Sequence, residues 1–259
     1  MKNTKKMYTE ILIESGKAIN LKYESETLNY NITKHFKVTS DNMFAYFETN
    51  HNIVFDISAQ NYLSEHIAAS LEKFVPENSK NVLIVGLGNN QLVADSLGVQ
   101  TVNKIVPNLC KIVKTKYTLY ILKAGVFGHT GVESATICKA LIKELNCDLV
   151  VAIDTLVAKS PERLGTSFQI TNMGLTPGAG VGNPREKFCE EYLGAPVIVL
   201  GTPMVINALD ICEDIQYKNL ILSQKDTEMF VKTASRIWSL AINNVFNDLT
   251  PQEVADYFA

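Results

Sequence analysis

The sequence has few of the features that mark secreted, membrane-spanning or nucleic-acid-binding proteins. Cysteine is scarce, with five in 259 residues and no C-x-x-C pair, which favours reduced thiols in a cytoplasmic protein and disfavours a structural zinc site. No apolar run approaches the roughly 20 residues of a membrane-spanning helix, so no membrane partner is expected. The basic start at residues 1–7 lacks the apolar stretch of a signal peptide. The net charge is −3 and basic residues form no block, so we expect no direct nucleic-acid partner.

The sequence also lacks the short motifs of several enzyme classes. It has no Gly-x-Ser-x-Gly elbow for a serine nucleophile and no cysteine in such a turn. Gly86 and Gly88 begin like a dinucleotide-binding fingerprint, but the third glycine position holds Gln91, which favours a tight turn at a strand exit. The glycine-rich stretch 174–183 lacks the Gly-Lys-Ser/Thr ending of a P-loop, and we interpret it as a structural or substrate-lining loop.

What the sequence does contain is an alternation of strand and helix patterns. Apolar residues make up 46% of the chain, enough for a full core without disulfides. Uninterrupted apolar runs such as 82–85 and 149–153 are typical of parallel strands that are covered on both faces. The alternation predicts an α/β fold with a mostly parallel, doubly wound sheet. We expect one domain over residues 1–259, with a β-rich appendage at 11–58 and a core at 59–259.

Local patterns place the individual elements. Strands are predicted at 44–48, 52–56, 82–86, 118–123, 149–153, 167–171 and 196–201. Helices are predicted at 61–75, 96–106, 133–145, 185–193, 203–215 and 227–246. Thr250 and Glu253 have the spacing of a capping box, with Pro251 at the first helical position, and predict a short last helix.

Two acidic residues stand where predicted strands end. Asp95 follows the strand and glycine turn at 82–88, and Asp154 directly follows the strand at 149–153. Loops at the carboxyl ends of parallel strands form the sites of open α/β sheets, so we expect the two carboxylates to meet. Such a pair shares one proton, and its members can activate water and protonate a carbonyl oxygen. The alternative is that each aspartate caps a helix or bonds its own turn.

Further polar residues near these strand ends are candidates for the same site. His129 lies in the glycine-rich stretch 125–131. It either faces the site or is an ordinary loop histidine with no role there. Lys159, Arg163 and Arg185 follow the second strand and could pair with acidic residues that flank a scissile bond, although exposed charges are more often only solvated.

Several of these segments resemble the germination protease family, the endopeptidases that degrade small acid-soluble proteins when bacterial spores germinate. They occur in family order over roughly residues 82–208. The matching segments are GLGN at 86–89, DSLG at 95–98, GVFGHTG at 125–131, AIDTLVA at 152–158, GAGVGN at 178–183 and PVIVLGTP at 196–203. Together they are far more specific than any one of them alone.

The resemblance implies a three-layer, phosphorylase/hydrolase-like fold that is shared with hydrogenase maturation endopeptidases. It implies an atypical aspartic-type mechanism with Asp95 and Asp154 as the essential acids and no cofactor or metal. It also implies a homotetramer, made as a zymogen in the cytoplasm of the forespore or spore core. The segment MYTEILIE at 7–14 resembles the family's propeptide junction, which predicts cleavage between Glu10 and Ile11. Residues expected to line the site or bind substrate are Asn89, His129, Lys159, Arg163, Gly180 and Asn183.

Two other functions stay open at this point. Hydrogenase maturation enzymes suggest a metal-dependent endopeptidase, in which Asp95, Asp154 and His129 would bind a divalent ion such as nickel. The chain could instead be a catalytically silent, sporulation-associated binding protein that keeps the fold without the turnover. Retention of both acids favours an enzyme.

Overall fold

The computed structural model describes residues 10–11, 24–38, 43–108, 115–212 and 214–259. Within these residues one nine-stranded sheet forms the centre of the molecule, in the order β1-β2-β3-β7-β8-β6-β4-β5, with β9 also paired to β8. The strands are β1 (Glu24–Thr27), β2 (Thr33–Val38), β3 (Met43–Glu48), β4 (Asn81–Gly86), β5 (Thr118–Lys123), β6 (Leu149–Ala158), β7 (Ser167–Thr171), β8 (Val197–Asn207) and β9 (Ile221–Leu222).

Helices cover both faces of this sheet. They are α1 (Ile57–Leu71), α2 (Leu97–Val102), α3 (Phe127–Thr130), α4 (Ser134–Leu145), α5 (Glu190–Leu193), α6 (Thr227–Asn247) and α7 (Pro251–Tyr257). One apolar cluster joins α1, α2 and α6 to the sheet, with Trp238 fully buried in it. A second cluster joins α4 and α5 to the opposite face and includes Cys138 and Leu193. The predicted three-layer α/β fold is confirmed.

The sheet combines a parallel centre with an antiparallel extension. Strands β5, β4, β6 and β8 pair in parallel, as predicted for a doubly wound sheet. Strand β7 pairs with β8 in the antiparallel direction, and β3, β2 and β1 continue outward from it. The β-rich N-terminal region is therefore an extension of the central sheet, which it joins where Tyr46 lies opposite Gln169.

Many element predictions are confirmed by the structure. Strands β5 and β7 have the predicted bounds, and α4 and α6 match their predicted ranges to within one residue. The capping box is present, because the Thr250 side chain accepts from the Glu253 N–H and the Glu253 side chain accepts from the Thr250 N–H. These elements carry local signals that do not depend on distant partners.

The strand predicted at 52–56 is wrong. Residues His51–Phe55 form a 3₁₀ turn, and only then does α1 begin. Two side chains enforce this, because Asn50 accepts a hydrogen bond from the Asn52 N–H and Asp56 accepts one from the Ala59 N–H. The helix predicted at 185–193 is reduced to α5, and the helix predicted at 96–106 ends at Val102.

The helix predicted at 203–215 is also wrong, because β8 continues through Pro203 to Asn207. Strand β6 likewise continues through residues 155–158, which were predicted as loop. The two extensions pair with each other, and the register shifts between Leu156 and Val157, opposite Pro203. Such an irregularity accommodates a proline that has no N–H for the ladder. Asp154 therefore lies inside a strand rather than after its end.

Candidate active site

Asp95 and Asp154 line one cleft of about 570 Å³ at the edge where β4 ends. The two residues, remote in sequence, therefore line the same cleft. Segments from the Asp95 loop, the start of α3, strands β6 and β8, the loop 177–186 and strand β9 surround the cleft. The site is built on the sheet rather than on a single loop.

Close backbone packing brings the two acids to this edge. Beyond the end of β4, the Leu87 N–H donates to the Ile153 carbonyl oxygen at 2.9 Å, directly before Asp154. Helix α2 approaches the same point through Gly98, where an added Cβ would lie 2.3 Å from the Ile153 oxygen. Gly88 adopts a positive φ of 96°, and an added Cβ there would lie 2.0 Å from the Asp95 carbonyl oxygen. These glycines allow the Asp95 loop to fold back onto β6.

Asp95 sits in an environment that favours its neutral form. Its Oδ2 atom accepts a hydrogen bond of 2.8 Å from the Asn89 N–H. Burial raises the pKa of the Asp95 carboxyl from 3.8 to about 6, although the Asn89 N–H acts in the opposite direction. A carboxyl with this pKa can hold a proton near neutral pH and release it during a reaction.

Asp154 is held more rigidly, by the sheet itself. It is 5% exposed, and its Oδ1 atom accepts a hydrogen bond of 2.8 Å from the N–H of Thr155. Its strand neighbour is Gly201 on β8, where an added Cβ would lie 2.7 Å from the side chain of Leu156. The missing side chain at Gly201 leaves space for Leu156, which packs beside the acid.

Four of the other predicted site residues contribute to the cleft. Asn89 supplies the N–H that bonds Asp95. Gly180, Asn183 and Arg185 line the cleft from the loop at 177–186. That loop is fixed by the Asn183 N–H, which donates to the Gly178 carbonyl at 2.9 Å, and by Asn207 Nδ2, which donates to the Gly180 carbonyl at 3.2 Å.

The remaining three predicted residues lie elsewhere in the described structure. His129 is exposed on α3 and is not among the side chains that line the cleft in the described part of the chain. Lys159 forms an exposed ion pair of 3.1 Å with Asp210. Arg163 forms a buried ion pair of 2.7 Å with Glu10. The charges of Lys159 and Arg163 are therefore engaged by partners within the protein.

The structure does not assemble the ligand set of the nickel hypothesis. In residues 10–11, 24–38, 43–108, 115–212 and 214–259, no three His, Cys, Asp or Glu side chains form a group that could hold a metal ion. His129, the expected third ligand, does not line the cleft that holds the two acids. The geometry therefore gives no support to metal binding by Asp95, Asp154 and His129.

The cleft has an apolar rim that the sequence did not predict. Six residues from four segments line the cleft and are 40–59% exposed, namely Leu92, Val93, Phe127, Val181, Ile221 and Leu222. The guanidinium of Arg185 lies 5.2 Å from the ring centre of Phe127 and forms an ion pair of 3.5 Å with Glu133. For Phe127 and Val181 the available signal was a large apolar residue beside a glycine in a predicted loop, where polar residues are usual.

A scan against protein-family models matches residues 3–256 to the germination protease family. The chain belongs to the germination protease family. It is 39% identical over 169 residues to the germination protease of Clostridium perfringens strain ATCC 13124, a match that covers 62% of this chain and 52% of that protein. It is 37% identical over 158 residues to the germination protease of Bacillus subtilis strain 168, covering 58% and 43%. The chain spans about half the length of the curated germination proteases it matches.

Among solved structures, the chain is similar to the [NiFe] hydrogenase maturation protease HycI from Thermococcus kodakarensis. The sequence identity is 18% and the TM-score is 0.40, with 68% of this chain and 97% of that chain covered.

None of the helices in the described residues is both long enough and apolar enough to cross a membrane.

Proposed function

We propose that this member of the germination protease family is an endopeptidase that degrades small acid-soluble spore proteins at germination. The observation that carries the proposal is the presence of Asp95 and Asp154 in one cleft. Membership of the family supports the reaction class. The resemblance of the matched segments supports the substrate.

In the proposed mechanism the two acids activate a water molecule without a covalent intermediate. Burial favours the protonated form of Asp95, which makes it the donor to the carbonyl oxygen of the scissile bond. Asp154, fixed on β6, takes the proton from the attacking water. Proton transfers of this kind contribute about 10²–10⁴-fold each, so loss of either acid should reduce the rate by at least that amount.

The walls of the cleft suit an extended polypeptide. Apolar side chains such as Phe127, Val181 and Leu222 stand around the rim and exclude water from the acids when a substrate covers them. Asn183 and the glycine-rich loop offer polar groups for the substrate backbone. This arrangement supports a protein substrate and needs no cofactor in the proposed chemistry.

The finer expectations of the family resemblance are also part of the proposal. They are synthesis as a zymogen, cleavage between Glu10 and Ile11, assembly as a homotetramer and a place in the cytoplasm of the forespore. Glu10 and Ile11 are both buried, with 1% and 0% exposure. Cleavage between them therefore requires this segment to leave its position first.

The test is incubation of a purified small acid-soluble spore protein with the full chain and with protein treated to remove residues 1–10, followed by mass spectrometry of the products. We expect cleavage by the treated wild type and a loss of at least about 10²-fold in treated Asp95→Asn and Asp154→Asn. Asp226→Asn is the matched control, because Asp226 is exposed and makes no capping hydrogen bond.

Two results would remove the proposed mechanism. They are full cleavage by Asp154→Asn and the absence of cleavage by wild type that has been treated to remove residues 1–10. If the protein captures the spore protein without cutting it, the catalytically silent binding function is favoured instead.

A further inference from the structure

Outside the cleft, a cluster of buried polar groups surrounds Glu10. The Glu10 side chain is 0% exposed and forms an ion pair of 2.7 Å with Arg163 Nη2. Gln169 Nε2 donates to Glu10 Oε2 at 2.7 Å, and the backbone N–H of Lys159 donates to Glu10 Oε1 at 3.1 Å. Both oxygens of the carboxylate are therefore bonded to the protein.

The cation of this cluster is enclosed as well. The Arg163 side chain is 18% exposed, and its guanidinium lies 4.8 Å from the ring centre of Tyr46. The Tyr46 hydroxyl donates to Glu48 Oε1, which fixes the ring. A guanidinium that has lost most of its water depends on a nearby anion, because an unpaired buried charge is strongly destabilising.

The cluster recognises the backbone next to Glu10 in addition to its carboxylate. The Ile11 N–H donates to Gln169 Oε1 at 3.1 Å, while Gln169 Nε2 also donates to Ser167 Oγ at 2.9 Å. Ile11 is 0% exposed and belongs to the apolar cluster that contains Phe44. The cluster thus holds an acidic residue followed by an apolar residue.

The position of the cluster relative to the cleft follows from the sheet register. Gln169 lies opposite Gly201, and Gly201 lies opposite Asp154. Cross-strand partners point to the same face, and neighbouring strands are about 4.8 Å apart, so the Cα atoms of Gln169 and Asp154 are roughly 10 Å apart on one face. Leu156 lies over Gly201, between the two.

We propose that Arg163, Gln169 and the N–H of Lys159 form a carboxylate-binding pocket that the chain fills in cis with its own Glu10. The ligand it selects is a carboxylate, because a cation and two donors converge on both oxygens. This pocket anchors the segment at residues 10–11 to the sheet beside the cleft. Its test measures stability alone, so the outcome does not depend on the proposed proteolysis.

The test uses Glu10→Ala in the full chain and measures thermal unfolding. Removal of the carboxylate leaves Arg163 buried without its partner, so we expect Tm to fall by roughly 10 °C. Sodium acetate should then raise the Tm of Glu10→Ala in a saturable way, because it replaces the missing carboxylate in the folded state only. Sodium chloride at equal ionic strength and acetamide should not. The double variant Glu10→Ala/Arg163→Gln should lose the acetate response.

Two further variants control this experiment. Glu162→Ala removes an exposed carboxylate beside Arg163 in sequence and should leave Tm and the acetate response at wild-type values. Glu10→Gln keeps the shape of the side chain and should show a smaller fall in Tm. If Glu10→Ala does not fold in chloride, recovery of folded protein by acetate but not by chloride supports the pocket.

Three results would overturn the proposal. The first is a Glu10→Ala or Glu10→Gln protein as stable as the wild type. The second is an acetate response that persists unchanged in the double variant with Arg163→Gln. The third is an acetate response in the wild type equal to that of Glu10→Ala, which would mean that carboxylates bind in trans while Glu10 is elsewhere.

Discussion

Replacement of Asp95 by asparagine should stabilise the folded protein while it removes activity. In the folded state burial raises the pKa of Asp95 from 3.8 to about 6. The folded protein therefore holds this proton more tightly than the unfolded chain does, and its stability falls as the pH rises from about 4 to about 6. Below that pH range Asp95 is protonated in both the folded and the unfolded state, and it does not destabilise the folded protein. Above that range the full destabilisation by the buried, ionised carboxylate applies.

The magnitude follows from the two pKa values. The gap between 3.8 and about 6 corresponds to about 3 kcal/mol of unfolding free energy at pH 8. Asparagine is neutral at every pH and can still accept the hydrogen bond from the Asn89 N–H. We expect Asp95→Asn to be more stable than the wild type by up to about 3 kcal/mol at pH 8 and by only about 0.5 kcal/mol at pH 4. The difference at pH 8 corresponds to a Tm increase of up to about 12 °C.

The assay is urea unfolding of wild type, Asp95→Asn and the exposed control Asp226→Asn at a series of pH values. The expected signature is a stability difference that grows between pH 4 and pH 6 and then stays constant. Equal stability of Asp95→Asn and wild type at pH 8, or a gain that is the same at pH 4 and pH 8, would refute the assignment of a raised pKa to Asp95. Activity should fall at least about 10²-fold in the same variant.

Three further substitutions and one control probe the fold that supports the site. Gly98→Ala should lower stability by several degrees in Tm and impair cleavage, because its Cβ would lie 2.3 Å from a carbonyl oxygen of β6, whereas Gly128→Ala, with nothing within 4 Å of its Cβ, should be neutral in thermal unfolding. Trp238→Phe should cost about 1–3 kcal/mol in urea unfolding, because Trp238 Nε1 donates to the buried Thr202 hydroxyl at 2.9 Å. Thr250→Ala should cost about 1 kcal/mol in urea unfolding through loss of the capping box, with no change in the rate of cleavage.

Local signals were sufficient for the elements whose ends are fixed by nearby residues. The capping box at Thr250 predicts the start of α7, and the helix predicted at 227–246 matches α6 to within one residue. The path of β8 could not be predicted in this way. Thr202 and Pro203 have the local appearance of a helix start, but pairing with the extension of β6 keeps this segment in the sheet.

The two acids of the site could be predicted from the sequence, but several of the residues around them could not. Asp95 and Asp154 were found because each is the first carboxylate after a buried apolar run. The partners of the nearby cations could not be found, since Lys159 pairs with Asp210 and Arg163 pairs with Glu10, and no sequence spacing indicates either contact. The apolar rim of the cleft was missed for the same reason, because its members come from four separate segments.

The two acids of the cleft are attached to parts of the molecule with different freedom to move. Asp154 belongs to a strand that is hydrogen-bonded to β8 at this level and that continues for four more residues, so its position is as fixed as the sheet. Asp95 hangs from a turn that is closed by Gly88 and by one N–H from Asn89. We therefore expect the distance between the carboxylates to change mainly through movement of the Asp95 turn. The Asp95 turn is thus the adjustable side of the site, and the strand that holds Asp154 is the fixed side.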